Sequence, residues 1–395
     1  MSQSEKPSAK LTLLALAISA FGIGSTEFIS VGLLPLITDD FGISLSTAGL
    51  IVSIYALAVT VGAPLLTAFT SHLSRKTVLL LVMAIFIIGN LTAAIAPLFS
   101  ILIIGRIISA LAHGVFMSIA SVIAADVVEP NKRASAIAFM FTGLTLATVT
   151  GVPLGTFIGQ ITDWRMSFIF IVIIGVIGLI SNALLVPSQL SKGNPISLHD
   201  IGKVLGNFRM LLIFFITAMG FGGAFVVYTY VSPILEQYMG YSPHAVVIIL
   251  VVYGIFVAIG NTLGGRFANQ NPLRSIFIIF VGLALALLGI GFTLESPIIG
   301  LIMVLIVGLF MFMNSPGLQL YAVMLSEKYV PSAISMASAL NISAFNIGIF
   351  LGSYIGGFII RHQSLAHTPL YGFLMVMLAA IVTLLWLIFD KKKQV

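Results

Sequence analysis

Three ionisable residues stand inside long apolar stretches of this 395-residue chain: Glu27, Arg106 and His113. Glu27 is the single charged residue between Leu11 and Ile37. At about 1.5 Å per residue that run is long enough to cross a bilayer core of about 30 Å. A carboxylate near the centre of such a helix is unfavourable by about 2.5–3.5 kcal/mol on insertion scales. It must therefore face protein or water, find a partner, or carry a proton. The chemistry on offer is proton loading and release; the plainer alternative is a structural Glu held against another helix. Arg106 lies about 16 residues, or ~24 Å, above the inner end of its helix, and Glu27 lies as far into its own. At that matching depth Arg106 either shares a cavity with Glu27 or snorkels to the headgroups. His113 follows Arg106 by seven residues, on nearly the same helix face and two turns deeper. An imidazole there either relays protons and binds solute or is a neutral group hydrogen-bonded between helices.

The elements that position these groups are membrane helices. With 59% hydrophobic and 8% charged residues the chain departs from soluble proteins, whose charged fraction runs near 25%. Twelve apolar segments can be counted, at approximately 11–37, 46–70, 77–96, 100–122, 134–160, 166–187, 210–233, 245–265, 273–294, 297–323, 333–360 and 370–389. The first run lacks an A-x-A-like cleavage site and reads as a retained span. Lysines and arginines alternate in density along the breaks. One set holds Lys6, Lys10, Arg75, Lys76, Lys132, Arg133, Lys192, Lys203, Arg209, Arg266, Arg274, Lys328 and Lys391 to Lys393, the other only Arg165 and Arg361. That bias predicts a multi-pass protein of the cell membrane with both termini cytoplasmic. The net charge of +6 is read as topology rather than nucleic-acid binding, because the basic residues do not gather on one face. The absence of cysteine excludes disulfides and thiol catalysis. No phosphate-binding loop or catalytic constellation lies outside the spans, so the expectation is a non-enzyme without a cofactor or metal, driven by an ion gradient.

Ser188 to Arg209 is the longest break, and the two sides of it repeat. At an offset of 198, Pro35, Gly42, Ser44, Tyr55 and Gly62 fall on Pro233, Gly240, Ser242, Tyr253 and Gly260. At an offset of 201, Pro130, Gly151, Gly155 and Phe157 fall on Pro331, Gly352, Gly356 and Phe358. The reading is two six-helix halves, 1–187 and 210–395, joined by a cytoplasmic linker at 188–209. Gly151, Gly155 and Gly159 in one half, with Gly348, Gly352 and Gly356 in the other, form stripes where helix backbones approach closely. They serve static packing or form a surface on which the halves rock. Polar groups within the spans include Tyr55, Asn90, Tyr228, Tyr230, Asn314, Gln319, Asn341 and Asn346. They divide between interhelical bonding and solute contact, with Asn341 and Asn346 favoured for the latter. Phe and Met residues of the seventh and tenth spans are expected to contribute an adaptable apolar pocket.

Several local patterns resemble the major facilitator superfamily, and within it the twelve-helix drug:proton antiporters and the sugar-efflux and arabinose-efflux-like permeases. They are Gly24-x-Thr26-Glu27-Phe28 with Val31-Gly32-Leu33-Leu34-Pro35, Gly62-Ala63-Pro64, Arg106 with Ala112-His113-Gly114, Gly151-Val152-Pro153-Leu154-Gly155, and Trp164-Arg165-Met166-Ser167-Phe168. The resemblance covers 11–389. It implies an all-α membrane protein of twelve transmembrane helices in two pseudo-symmetric halves, exporting a small organic solute, whether drug, sugar or nucleoside-like, in exchange for protons by alternating access. The uncoupled exporter and the non-transporting sensor are the rival readings. The segment around Pro153 resembles the family's antiporter motif and favours export. Between the second and third spans Ser71, His72, Ser74, Arg75 and Lys76 stand where the family has an acid, a base, a glycine and two bases, so the acid and glycine are missing. Asp126 is the candidate replacement partner for Arg75. Together these readings assign proton coupling to Glu27, Arg106 and His113. They assign solute contact to Thr26, Tyr55, Tyr228, Tyr230, Asn341 and Asn346, and gating to Arg75, Lys76, Asp126, Gly151, Pro153, Gly155, Gly352 and Gly356. The expected partners are a small solute, protons and the bilayer, with the protein acting as a monomer and binding no nucleic acid.

Overall fold

The computed structural model describes residues 9–391 except 71–72, 130–132, 189, 191–197 and 269. Lys6, Ser71, His72, Pro130, Lys132, Lys192, Lys392, Lys393 and much of the central linker therefore lie outside the described residues. Among the described residues twelve helices are long and apolar enough to cross a membrane: α1 (Ala9–Phe41), α2 (Leu45–Ala63), α3 (Arg75–Ala94), α4 (Phe99–Ala124), α5 (Phe139–Ile161), α6 (Trp164–Leu185), α7 (Phe208–Gln237), α8 (Pro243–Ala268), α9 (Pro272–Thr293), α10 (Pro297–Tyr329), α11 (Met336–His362) and α12 (Leu365–Phe389). Each of the twelve expected spans finds its helix. No strand occurs among the described residues, as follows for lipid-facing chain, whose backbone groups must be satisfied within the helix.

The breaks carry helix-start chemistry. Ser74 accepts from the Thr77 N–H at 3.2 Å, Asn207 from Arg209 at 3.0 Å and Asn271 from Arg274 at 3.1 Å; each satisfies one of the orphan donors of a first turn. The repeated Gly-x-Ser is one such device used twice. Gly42 and Gly240 hold φ of 59° and 73°, a left-handed conformation natural to glycine. Two residues on, Ser44 and Ser242 accept from the N–H groups of Thr47 and Ala245.

The repeated prolines act differently in their two settings. Pro35 lies within the continuous helix Ala9–Phe41, whereas Pro233 follows a break, with helix at Phe208–Tyr228 and again at Val231–Gln237. A third proline, Pro153, is preceded by a π-turn over Ala147–Gly151, in which the Val152 N–H reaches Ala147. Proline supplies no N–H, and wider turns of this kind accommodate the disrupted ladder. α10 is likewise interrupted at Asn314, before Pro316.

The described residues fall into two compact units, the first within Met1–Ile29 and Val61–Ile196, the second within Ser30–Thr60 and Ser197–Val395. Ser30–Thr60 thus groups with the later part of the chain rather than with the sequence half that contains it.

Candidate functional site

In the first unit α3 crosses α4 where neither helix presents a side chain. A Cβ added to Gly89 would stand 2.5 Å from the Ser109 nitrogen, and one added to Gly105 would stand 2.6 Å from that of Ala93. This close crossing sets Asn90 and Arg106, each adjacent to a crossing glycine, against α1. Arg106 is fully buried. Its guanidinium donates to the backbone carbonyls of Thr26 at 2.6 Å and Glu27 at 3.4 Å. It neither snorkels nor pairs directly with the Glu27 carboxylate. The Thr26 hydroxyl donates to Asn90 Oδ1, and Asn90 Nδ2 donates to Phe86 O at 2.9 Å. Thr26 has no exposed surface, which places it in this interhelical bond rather than on a solute-facing wall.

The Glu27 carboxyl is half-buried, and among the described residues no hydrogen bond or ion pair engages it. Arg106 engages the Glu27 backbone carbonyl, and His113 follows Arg106 by seven residues, two turns along α4. His113 is buried on the part of α4 that packs on α2, where a Cβ at the next residue, Gly114, would lie 2.5 Å from that of Ala63. The cluster thus offers one carboxyl available for protonation, a fixed positive charge held by backbone carbonyls, and an imidazole deeper on the same helix.

Toward the Lys10 end of the same unit, Arg75 pairs with Asp126, the replacement partner expected for it. Lys76 donates to the Ala183 and Val186 carbonyls, each at 2.7 Å, satisfying acceptors at the end of α6. α3 is thereby tied to α4 and α6 through adjacent basic residues. At the other end Arg165 donates to Ala96 O at 3.1 Å, just past α3, and its guanidinium lies 4.3 Å from the Trp164 ring centroid. These contacts account for a basic residue on the sparsely charged side.

The second unit holds most of the aromatic and amide candidates. Tyr228 stacks on Tyr253, with centroids 5.1 Å apart and planes 11° apart. The Tyr253 hydroxyl reaches Met311 Sδ at 3.4 Å. Phe221 packs edge-on against Phe312 at 5.6 Å and Phe345 at 4.9 Å, joining α7 to α10 and α11. Asn341 accepts from Thr217 at 2.9 Å and donates to Gln319 at 2.8 Å, and Gln319 donates to Ser338 at 2.7 Å. Asn341 is thus absorbed in a chain of side-chain bonds. Asn346 donates to Ile342 O at 3.1 Å, and its buried Oδ1 has no donor among the described residues. Tyr55 is buried on the portion of α2 that belongs to this unit. Tyr230 is fully buried, with its hydroxyl donating to Ser353 O at 3.0 Å. The residue type promised a solute contact; the break in α7 turns it into a contact between helices.

The glycine stripes are packing faces inside their own units. Cβ atoms at Gly151 and Gly155 would overlap Ser25 and Ile29 of α1, and those at Gly352 and Gly356 would overlap the Gly222 carbonyl and crowd Tyr230 of α7. The spacing was legible in the sequence, but the partner helix was not. Ser232 and Ser353 were missed altogether. The signal for Ser232 was its place beside Pro233, and for Ser353 its place between the stripe glycines Gly352 and Gly356.

A family model described as Major Facilitator Superfamily matches residues 16–329. The chain is 56% identical over 371 residues to the MFS-type transporter YtbD of Bacillus subtilis (strain 168), covering 94% of each. It is 30% identical over 396 residues to a protein of Helicobacter pylori (strain ATCC 700392 / 26695) named a probable sugar efflux transporter, covering 98% of this chain and 97% of that one. Among solved structures it resembles that of a D-xylose-proton symporter, with a TM-score of 0.75 over 95% of this chain and 96% of the other. At 15% identity that likeness shows the fold alone.

Proposed function

Since the chain belongs to the major facilitator superfamily, we propose that this transporter exports a small organic solute in exchange for protons. The observation that supports this reading is Glu27, a partly buried residue whose carboxyl has no hydrogen bond or ion pair among the described residues, beside an Arg106 whose terminal nitrogens donate to α1 carbonyls. Burial disfavours the charged carboxyl and the neighbouring guanidinium favours it, so a change in hydration or in a bound solute shifts its proton occupancy. His113 extends the same face of α4 and takes the second position in the relay.

Solute contact is assigned to the second unit's Phe221, Phe312 and Phe345 cluster, to Tyr228 and Tyr253, and to Asn346, whose unsatisfied Oδ1 favours a solute bearing hydrogen-bond donors. Aromatic faces with a few polar groups suit sugars, nucleoside-like compounds and amphiphilic drugs. The direction and solute class draw on the relative named a sugar efflux transporter. Protein in the cell membrane with Lys10 toward the cytoplasm follows from the basic-residue bias. The deciding measurement is export in proteoliposomes with and without an imposed pH gradient, using a panel of labelled sugars and amphiphilic drugs. Wild type should concentrate at least one compound only when the gradient is present. Glu27→Gln should lose that concentration while equilibrating the compound downhill. A Glu27→Gln protein that still concentrates solute sinks the assignment of the coupling proton to this residue.

A further inference from the structure

Pro35 leaves a definite vacancy in α1. In an α-helix the carbonyl of residue 31 accepts from the N–H of residue 35, and proline has none. The Val31 carbonyl is buried, so it needs a donor from elsewhere. Ser232, on the short helix Val231–Gln237 of α7, donates its hydroxyl to it at 2.9 Å. Ser232 itself is buried, so water does not compete for either group.

The same short helix begins at a break that is itself anchored. Tyr230 has left helical geometry, with φ −114° and ψ 20°. The Thr229 hydroxyl bonds the Ser353 hydroxyl at 2.7 Å, and the Tyr230 hydroxyl donates to the Ser353 carbonyl at 3.0 Å. The Tyr230 ring occupies a slot whose walls are glycines. A Cβ at Gly49 would overlap the hydroxyl, one at Gly356 would lie 2.7 Å from Cε2, and one at Gly357 would lie 2.8 Å from the hydroxyl. Gly357 also abuts Ser46, since its Cβ would lie 3.2 Å from the Ser46 carbonyl. All of these residues belong to the second compact unit, and they explain why Ser30–Thr60 joins it.

We propose that Ser232 and Tyr230 form a latch that clasps the Asp39 ends of α1 and α2 onto α7 and α11, with the carbonyl vacated by Pro35 as its docking point. Ser232 and Tyr230 are positioning residues: they touch no solute, and they set how often this end of the protein opens. The latch gives the repeated proline two uses. In α7 Pro233 produces the break that displaces Tyr230 into its slot, and in α1 Pro35 exposes the acceptor that the broken helix then satisfies. Opening must break the Ser232 bond and withdraw the ring from between Gly49 and Gly357. The reverse movement needs no side chain to clear the slot, because its walls have none.

The inference rests on the reading that transport proceeds by opening alternately at the two ends, and the test needs neither solute nor pH gradient. The chain has no cysteine, so Asp40→Cys and Gln237→Cys, both exposed, can carry a spin-label pair across the latch. Dipolar distance distributions in lipid nanodiscs give the ratio of short to long separations at fixed pH. In the labelled parent background, Ser232→Ala should lower that ratio about tenfold, the scale of one buried hydrogen bond, and Ser232→Thr should leave it within twofold. Pro35→Ala restores the helical N–H to Val31, so Ser232→Ala added to Pro35→Ala should change the ratio less than twofold. Gly49→Ala, which fills the slot, and Tyr230→Leu, which removes the hydroxyl from it, should each lower the ratio. An unchanged ratio in Ser232→Ala, or an equal loss whether Pro35 is kept or replaced by alanine, overturns the latch. A protein shown to export without protons leaves these ratios unaffected, so the two readings fail separately.

Discussion

Arg106 and Glu27, level with one another on α4 and α1, are differently placed. The guanidinium is committed, giving charge-assisted bonds to the Thr26 and Glu27 carbonyls, while the adjacent carboxyl is left open. Removing the first partner therefore costs structure, and neutralising the second costs coupling. Arg106→Ala should destabilise the protein by about 3 kcal/mol, the scale for losing a buried charged donor, read as a lower midpoint in detergent thermal unfolding. Glu27→Gln should unfold within about 1 kcal/mol of wild type, because no described bond is lost. Its solute exchange rate between pH 6 and pH 8 should become flat where wild type varies. Equal destabilisation by both variants would show that Glu27 is structural. That Arg106 and Glu27 stand level with one another was legible from their places in the apolar runs. The bonds of Arg106 were not, since they depend on the rotation of α4 about its axis, which the Gly89–Gly105 crossing sets.

Several helix pairs in this chain meet where glycines leave out a side chain. Where α11 lies on α7, a Cβ at Gly352 would overlap the Gly222 carbonyl and stand 3.0 Å from Phe225 Cβ, whereas a Cβ at Gly265 of α8 would meet nothing within 4 Å. The two glycines differ completely in surroundings. Gly352→Ala should lower stability by about 2 kcal/mol through overpacking against backbone. Gly265→Ala should leave it unchanged or raise it by up to about 1 kcal/mol, the helix propensity difference. Thermal unfolding of the pair decides, and a neutral Gly352→Ala would mean that the α7 and α11 backbones separate readily. The number of helices, the glycine spacing and the repeated Gly-x-Ser turn were legible because they depend on local chemistry and period. The faces that the stripes meet were not, because a four-residue spacing defines a stripe without naming its partner. Helix interruptions were partly legible: proline marked the π-turn before Pro153 and the break before Pro233, yet Pro35 opens no such gap in α1.

For the whole molecule the internal repeat and the contacts answer different questions. Matched prolines and glycines at offsets of 198 and 201 suggest a division at the linker, while the contacts of Tyr230 and Ser232 group Ser30–Thr60 with the later helices. A sequence period carries no record of which helix ends touch, so the grouping of Ser30–Thr60 with the later helices was not legible. The orientation in the membrane rests on a separate physical argument. Gly202 lies in the linker helix Leu198–Leu205 next to Lys203, on the side where basic residues accumulate, and Gln363 lies in the break between α11 and α12, on the side where they are few. Both are exposed. Translocating a lysine-rich short loop is disfavoured, so the basic side should remain cytoplasmic. With single cysteines at these positions in the cysteine-free chain, a membrane-impermeant maleimide applied to intact cells should label Gln363→Cys and spare Gly202→Cys. Inverted vesicles should reverse the result. Labelling of both positions from one face would require an even number of crossings between residues 202 and 363, where the helices α7 to α11 supply five, and the orientation of every assignment above would have to be redrawn.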